Sequence, residues 1–544
     1  VKVPILVVGG STSGTTAAIQ AARMGHEILV VESSEWLGGM LTAAGVSAID
    51  GNHKLPSGLW GEFRDRIYSH YGGADSVSTG WVSNTLFEPD VGEKILRDMV
   101  AAEPNISVRY GYYVESVKKV DSRITEVTFT NLGGKKIIVN PEVVIEATEY
   151  GDVIARAGEQ YSIGLEPQSE TGEPTAPKER LPWPQDMTYV ATLEKAPSGR
   201  EKVMTKPPAY NPETFNCVCA EVCDNANIAS NLLSCEKMLN YGQLPSNKFM
   251  LNWPNNGNDT YLEILEKPHK KRLEILEKAK NKTLSFIYFL QEEAGFPHLR
   301  LAGNMYPSID NLPLKPYIRE SRRMYGQIRL RLPDISDPYQ NKHRPLYKAS
   351  IAVGDYPIDH HRRLNPKPLT LDFPNIPSYS VPYNVLLPQN TSNLIVAEKS
   401  ISVTSLVNGT TRLQPVVMQI GQAAGLAAAI ATKRDVKFSA IDIRILQSVL
   451  LETNFWLMPY MDTNPDQPSF KSIQKVGLAG WMRGEGISVG WANETRFYPD
   501  SVVTIEQLKV IANRMNKKFT TNNMESNTPL DFKYFLNLLY QMQH

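Results

Sequence analysis

What this 544-residue chain is short of narrows its function before any motif is read. Its formal net charge is zero, with 57 Lys and Arg against 57 Asp and Glu. It therefore lacks the basic surplus with which proteins hold nucleic acid or acidic membrane surfaces. No apolar run reaches the roughly eighteen residues of a membrane-spanning helix, so none is expected. No unit recurs at the ~20–50-residue period of repeat proteins. Only four cysteines occur, all in one stretch: Cys217, Cys219, Cys223 and Cys235. Three readings stay open for them: disulfides of an exported protein, free or buried thiols, or a metal or iron–sulfur site. The last is the weakest, because C-x-C-x3-C-x11-C matches no usual ligand spacing and no histidine lies nearby, so no metal is expected. An exported protein, periplasmic or at the cell surface, is the expectation ahead of a cytoplasmic one.

What is present is ordinary for a globular enzyme: 42% hydrophobic and 21% charged residues. At ~100–200 residues per domain, the length suits two to four domains. The most informative stretch is PILVVGGSTSGTTAAIQAARMGHEILVVESSEWLGG, residues 4–39. Val3–Val8 reads as a buried strand, Ser13–Met24 as a helix rich in small residues, and Glu27–Val31 as a second strand ending at Glu32. This strand–turn–helix–strand unit suits a dinucleotide. Its turn aims backbone N–H groups and the positive helix end at a pyrophosphate, and its acid receives the ribose hydroxyls. Gly9, Ser11 and Gly14 stand at the three glycine positions, so the middle one departs from the pattern. Gly38-Gly39, shortly after Glu32, resembles the turn by which flavoproteins lead the chain along FAD rather than NAD.

Three later segments continue the pattern. Val143–Ala147 reads as a short strand running into Thr148-Glu149-Tyr150-Gly151-Asp152. Leu394–Ala397 leads through a loop to a helix entered at Pro415, a residue suited to a first helical turn. That N-terminus suits negative charge on a reduced flavin. Between them lie YPSIDNLPLKPYIRESRRMYG (306–326) and IAVGDYPIDHHRR (351–363). Together, residues 3–432 resemble the FAD-dependent oxidoreductases often labelled xanthan lyases. The marks are the GG-M-L-T loop at 38–42, an A-T-G-D-G-D-like turn at 147–152, Y-I-R-E-S-R-R at 317–323, Y-P-I-D-x-H at 356–361 and G-Q-A-A-G-x-A-A at 421–428. Two departures stand out. Glu149 replaces a usual glycine, and Glu398-Lys399-Ser400 with Thr404-Ser405 replaces a loop that in relatives carries Gly-Arg-Cys and a histidine.

The resemblance implies an α/β fold: a glutathione-reductase-type, Rossmann-like FAD domain from residues 1–165 and 385–440. An inserted α+β substrate domain would span 166–384, with a small helical C-terminal module at 441–544. It implies FAD contacts at Gly9, Ser11, Thr12, Ser13, Gly14, Glu32, Ser33, Gly38, Gly39, Met40, Leu41, Thr42, Val114, Ala147, Thr148, Asp152, Gln414 and Pro415. The expected reaction is hydride transfer between flavin N5 and a small polar organic substrate, a sugar, hydroxy acid or amine, with the electron acceptor open. His361 is the candidate base, with Asp359 able to orient an imidazole. Arg319, Arg322 and Arg412 are candidates for gripping a carboxylate or polarising a carbonyl. A flavoprotein with elimination or hydration chemistry, and a surface-binding protein with a vestigial FAD fold, are the alternatives. Val476–Asn516 resembles a single S-layer homology unit. That implies contact with a cell-wall polymer, while Thr504-Ile505-Glu506-Gln507 in place of Thr-Arg-Ala-Glu points to a docked structural or oligomerisation element.

Overall fold

β1 (Lys2–Val8) carries four consecutive buried residues, Ile5 to Val8, as a strand covered on both faces must. It turns through Gly9-Gly10 into α1 (Thr12–Arg23), whose N-cap is Ser11. β2 (Ile28–Glu32), β3 (Ile106–Tyr110), β4 (Tyr113–Val120), β5 (Arg123–Thr130) and β6 (Lys136–Glu146) follow. The sheet order is β3-β2-β1-β6-β5-β4, with the strand Leu394–Val396 also pairing β6. The pairings β2–β3, β1–β2, β1–β6 and β6 with Leu394–Val396 are parallel, while β4, β5 and the first half of β6 form an antiparallel meander. Val8 lies level with Val31 and Glu146, and Glu146 with Val396, so the carboxyl ends of these strands share one edge. Ligands of such sheets bind at that edge, where the strand order reverses. The structure is a computed structural model and describes residues 1–200, 202–252, 254–501, 503–514 and 529–530.

α2 (Gly58–Tyr71) and α3 (Pro89–Ala101) place Trp60, Phe63, Leu96 and Met99 in a cluster with Ile19 of α1. α4 (His269–Glu292) belongs to a second core that runs from Met187 to Ile318 and includes a four-stranded antiparallel sheet. Residues 330–383 pack elsewhere. Ile351, Val353, Tyr379 and Val381 join the cluster that holds Ile5, Ile145 and Ile395 of the first sheet. The separately packed segment is thus shorter than the 166–384 insertion expected from sequence, because this later chain folds back onto the main core.

The C-terminal segment also differs from expectation. Leu446, Leu450, Phe455, Trp456, Tyr460 and Phe470 are buried in that same main cluster. Beyond the helix Phe470–Ala479 lies a hairpin, Glu485–Ile487 with Glu494–Arg496, so the segment is not purely helical. The S-layer-like stretch at 476–516 falls partly on residues 502 and 515–516, outside the described residues. The cysteines form two disulfides, Cys217–Cys223 and Cys219–Cys235.

α5 (Gln414–Arg434) is, among the described residues, the one helix long and apolar enough to cross a membrane, yet it is enclosed by protein on nearly all sides. Its glycines explain how. A Cβ on Gly421 would lie 2.2 Å from the Ser13 carbonyl oxygen, and one on Gly425 would lie 2.1 Å from that of Ala17. α5 therefore lies directly against the backbone of α1. Gly421→Ala is expected to destabilise the fold by about 1–3 kcal/mol, the usual cost of forcing volume into a closed contact. A lowered thermal midpoint reads it, and an unchanged midpoint would contradict the contact.

Candidate functional site

The turn after β1 is built for close approach. A Cβ on Gly9, whose φ is +100°, would lie 2.4 Å from the Ala147 carbonyl oxygen, and one on Gly14 would lie 1.9 Å from that of Gly9. Only glycine fits either place. The serine at the departing position caps α1: Ser11 Oγ accepts from the Gly14 N–H at 3.2 Å. Glu32 Oε2 accepts from the Gly10 N–H at 2.7 Å, and Oε1 from the Ser34 N–H at 2.6 Å. Lys315 pairs with the same carboxylate and, against the cost of burial, holds Glu32 below the usual range. A cleft over the sheet edge is lined by Gly9, Ser11, Glu32, Ser33, Val114, Ala147, Thr148 and Asp152, together with Glu149, Tyr112, His269 and Lys315.

The two sequence departures prove to be one cluster. Lys399, fully buried, pairs with Glu149 and lies 2.6 Å from Glu398. Glu398, at φ +60°, receives the Ser13 N–H at 3.0 Å and the Ser11 hydroxyl at 2.9 Å. Its carboxylate thus sits on the positive end of α1, and the Lys399 ammonium holds it ionised despite burial. Glu149 differs: burial outweighs Lys399 and raises its pKa. Its Oε1 is buried, has no hydrogen-bond partner and belongs to a residue lining the cleft. Close-approach glycines, an acid at the tip of β2 and this orphaned oxygen together fit a dinucleotide, while the N-terminus of α1 is taken by the Glu398 carboxylate.

Several expected contacts serve other ends. Thr12 donates to the Gly38 carbonyl at 2.7 Å and so clamps the Gly38-Gly39 turn. Leu41 packs with Ile19 and Trp60, and Thr42 donates to the Leu37 carbonyl, so both side chains serve the loop's own packing. Met40 packs with Tyr317 and Val417. Asp152 lines the cleft, yet its carboxylate is held by Arg272 at 2.7 and 2.8 Å and by Arg322 at 3.1 Å.

At the N-terminus of α5 a second, small pocket brings together residues from six parts of the chain. Asp50, Tyr241, Tyr317, Arg319, Asp359, His361, Arg412 and Gln414 line it. His361 Nδ1 lies 2.6 Å from Asp259 Oδ2, and Nε2 lies 3.5 Å from Asp359 Oδ2. Burial and Arg319 oppose protonation of this imidazole, but the two aspartates outweigh them and raise its pKa. The closer orienting acid is therefore Asp259; Asp359 mainly holds Arg412, at 2.7 Å. Arg412 also donates to the Tyr317 hydroxyl at 2.5 Å. Arg319 donates to Thr188 Oγ1 at 2.8 Å and to the carbonyls of Asp186 and Asn252. Asp50, bonded to Ser83, is pushed up to about 6 by burial. Gln414 donates to the Ala48 carbonyl and leaves its buried Oε1 unpartnered. Pro415 is the second residue of α5 and, with Gln414, places the helix N-terminus beside this pocket.

Three of the four expected catalytic side chains meet here: His361, Arg319 and Arg412. Arg322 does not. It is turned to Asp152, Glu266 and the Tyr150 carbonyl, because its neighbour Arg323 points the opposite way into the core. His360 packs against Gly409 and accepts from Arg362, and burial holds its pKa well below the usual value, so it is a structural group. Asp50, Asp259 and Tyr241 were missed from sequence, for no local pattern marks them.

A family model for FAD dependent oxidoreductases matches residues 4–450. No curated protein matches the sequence. Among solved structures, p-nitrophenol 4-monooxygenase of Pseudomonas putida is 12% identical, covers 88% of this chain and 94% of its own, and has a TM-score of 0.33. An aromatic hydroxylase of angucycline biosynthesis is 11% identical, with 79% and 63% covered and a TM-score of 0.34. A flavin-dependent brominase variant is 8% identical, with 83% and 85% covered and a TM-score of 0.35. Likeness this distant says nothing of this chain's substrate.

Proposed function

Because the chain belongs to the FAD dependent oxidoreductase family, we propose that it oxidises an alcohol carbon of a small polar substrate held in the pocket at the N-terminus of α5. FAD, when bound, supplies the acceptor for the hydride that leaves the substrate carbon. The residues fitted to hold its diphosphate and ribose are Gly9, Ser11, Glu32, Thr148 and Glu149 in the cleft over the sheet edge. The observation that carries the reading is His361 between two carboxylates.

The 2.6 Å contact to Asp259 fixes the neutral imidazole with its proton on Nδ1, which leaves the Nε2 lone pair, 3.5 Å from Asp359 Oδ2, to take the proton of a substrate hydroxyl. The imidazolium so formed has Asp259 on one side and Asp359 on the other. Arg412 and Tyr317 form a donor pair beside it, able to steady the carbonyl oxygen as it forms. Tyr241 and Tyr356 stay protonated, because burial lifts both phenols well above their usual value. The two disulfides fit a protein that works in an oxidising compartment.

The test is spectral. Purified protein should carry flavin absorbance, and anaerobic addition of the right alcohol should bleach it. Colourless protein, or turnover with the flavin oxidised throughout, would sink the reading.

A further inference from the structure

The hairpin Glu485–Arg496 does more than extend the C-terminal segment, because its tip lines a cleft that adjoins the pocket at the N-terminus of α5. A wider cleft of about 540 Å³ opens outward and shares Tyr241, Tyr356, Asp359 and His361 with the pocket. Two tryptophans stand in its lining, Trp81 from the chain before α3 and Trp491 from the hairpin. They are 63% and 54% exposed, although most of the chain's large apolar side chains are buried. Each leans on a tyrosine that continues inward. Trp81 meets Tyr241 edge-on with centroids 6.1 Å apart, and Trp491 is tilted against Tyr356 at 5.5 Å.

The hairpin is fixed where it stands. The Asn493 N–H donates to the Asp355 carbonyl at 2.8 Å, Thr495 and Ser378 share a hydrogen bond of 2.6 Å, and Gly486 lies against Pro377. Asp355 is one residue before Tyr356, so the hairpin is tied to the backbone that leads to His361. Two half-exposed indoles lining one cleft give it flat apolar walls against which a ligand can lie. A flat apolar body with one N–H suits a ring that presents C–H groups on its face and hydroxyls at its edge.

Charge argues on the same side. In the pocket at the N-terminus of α5 Arg319 is held by Asp259, Thr188 and two carbonyls, while Arg412 is held by Asp359 and Tyr317 and keeps a buried Nε without a partner. Each guanidinium already faces a carboxylate, Arg319 that of Asp259 and Arg412 that of Asp359. Asp259 and Asp359 offset the charges of Arg319 and Arg412. The reacting centre thus suits a neutral hydroxylated ring better than a hydroxy acid.

We propose that the substrate is a saccharide of more than one ring, that Trp491 and Trp81 stack its outer rings, and that the C-terminal hairpin is thereby a specificity-determining wall of the active site. This rests on the alcohol-oxidation reading only for the ring beside His361; the stacking is a matter of binding. Calorimetry on the FAD-loaded enzyme with glucose, cellobiose, maltose, lactate and trimethylamine tests it. A disaccharide is expected to bind about tenfold more tightly than glucose, Trp491→Ala to remove that gain and Trp491→Phe to keep most of it. Equal binding of glucose and both disaccharides, binding of lactate or trimethylamine alone, no binding at all, or a gain untouched by Trp491→Ala would each overturn the proposal. Saccharide binding without flavin bleaching would instead overturn the oxidation reading and leave the stacking site standing.

Discussion

Replacing Arg323 by methionine is expected to lower the free energy of unfolding by about 3–5 kcal/mol. The guanidinium is fully buried and pairs with Glu166 and, at 3.0 Å, with Glu320. It also donates to the Gly164 and Val403 carbonyls. Methionine fills much of the volume but leaves two buried carboxylates and two carbonyls short of a donor, and that asymmetry is the source of the cost. Glu320 retains Arg362 at 2.5 Å and Glu166 retains Arg329, which keeps the loss within this range rather than beyond it. Denaturant titration of the wild type and variant measures it. Arg323→Lys should recover only part, since one ammonium cannot serve four acceptors spread around a planar fork. A variant as stable as the parent would show that the remaining arginines suffice.

The second large effect is chemical. His361→Gln is expected to lower kcat by about 10²–10⁴-fold, the usual contribution of a positioned base, with the flavin still bound. The pH profile carries the sign. His361 must be neutral to accept a proton, and its pKa lies above the ordinary histidine value. Activity should therefore rise with pH through a limb above ~6.5. Asp259→Asn removes the nearer carboxylate, so the limb should move to lower pH. Asp50 titrates close by, at about 6, and Asp50→Asn separates its contribution. A limb that follows Asp50→Asn but ignores Asp259→Asn would assign the proton transfer to Asp50.

The nucleotide half of the site was readable because its signals are local. Gly9, Gly14 and Glu32 fall within one strand–turn–helix–strand unit, where each residue's role follows from backbone geometry a few positions away. The arginine block was readable only as a block. Sequence could say that some of Arg319, Arg322 and Arg323 must turn inward, but not that they face three ways: to the pocket, to Asp152 and to the core. Glu149 and Glu398-Lys399 looked like two unrelated departures. They lie some 250 residues apart in sequence, and only the fold shows that Lys399 joins both carboxylates beside the N-terminus of α1. The hairpin carrying Trp491 was harder still. Its own segment reads as a separate module, and nothing in it points to a cleft whose other walls are built from residues 81 to 364.

The sequence by itself determined the cofactor class and the sheet that receives it, because backbone conformation, helix capping and strand burial are set by near neighbours. The acid that orients His361, the pairing of Lys399 with two glutamates and the part played by Trp491 were decided by tertiary structure alone. Each of those depends on side chains that meet only after distant strands have paired and α5 has closed against α1.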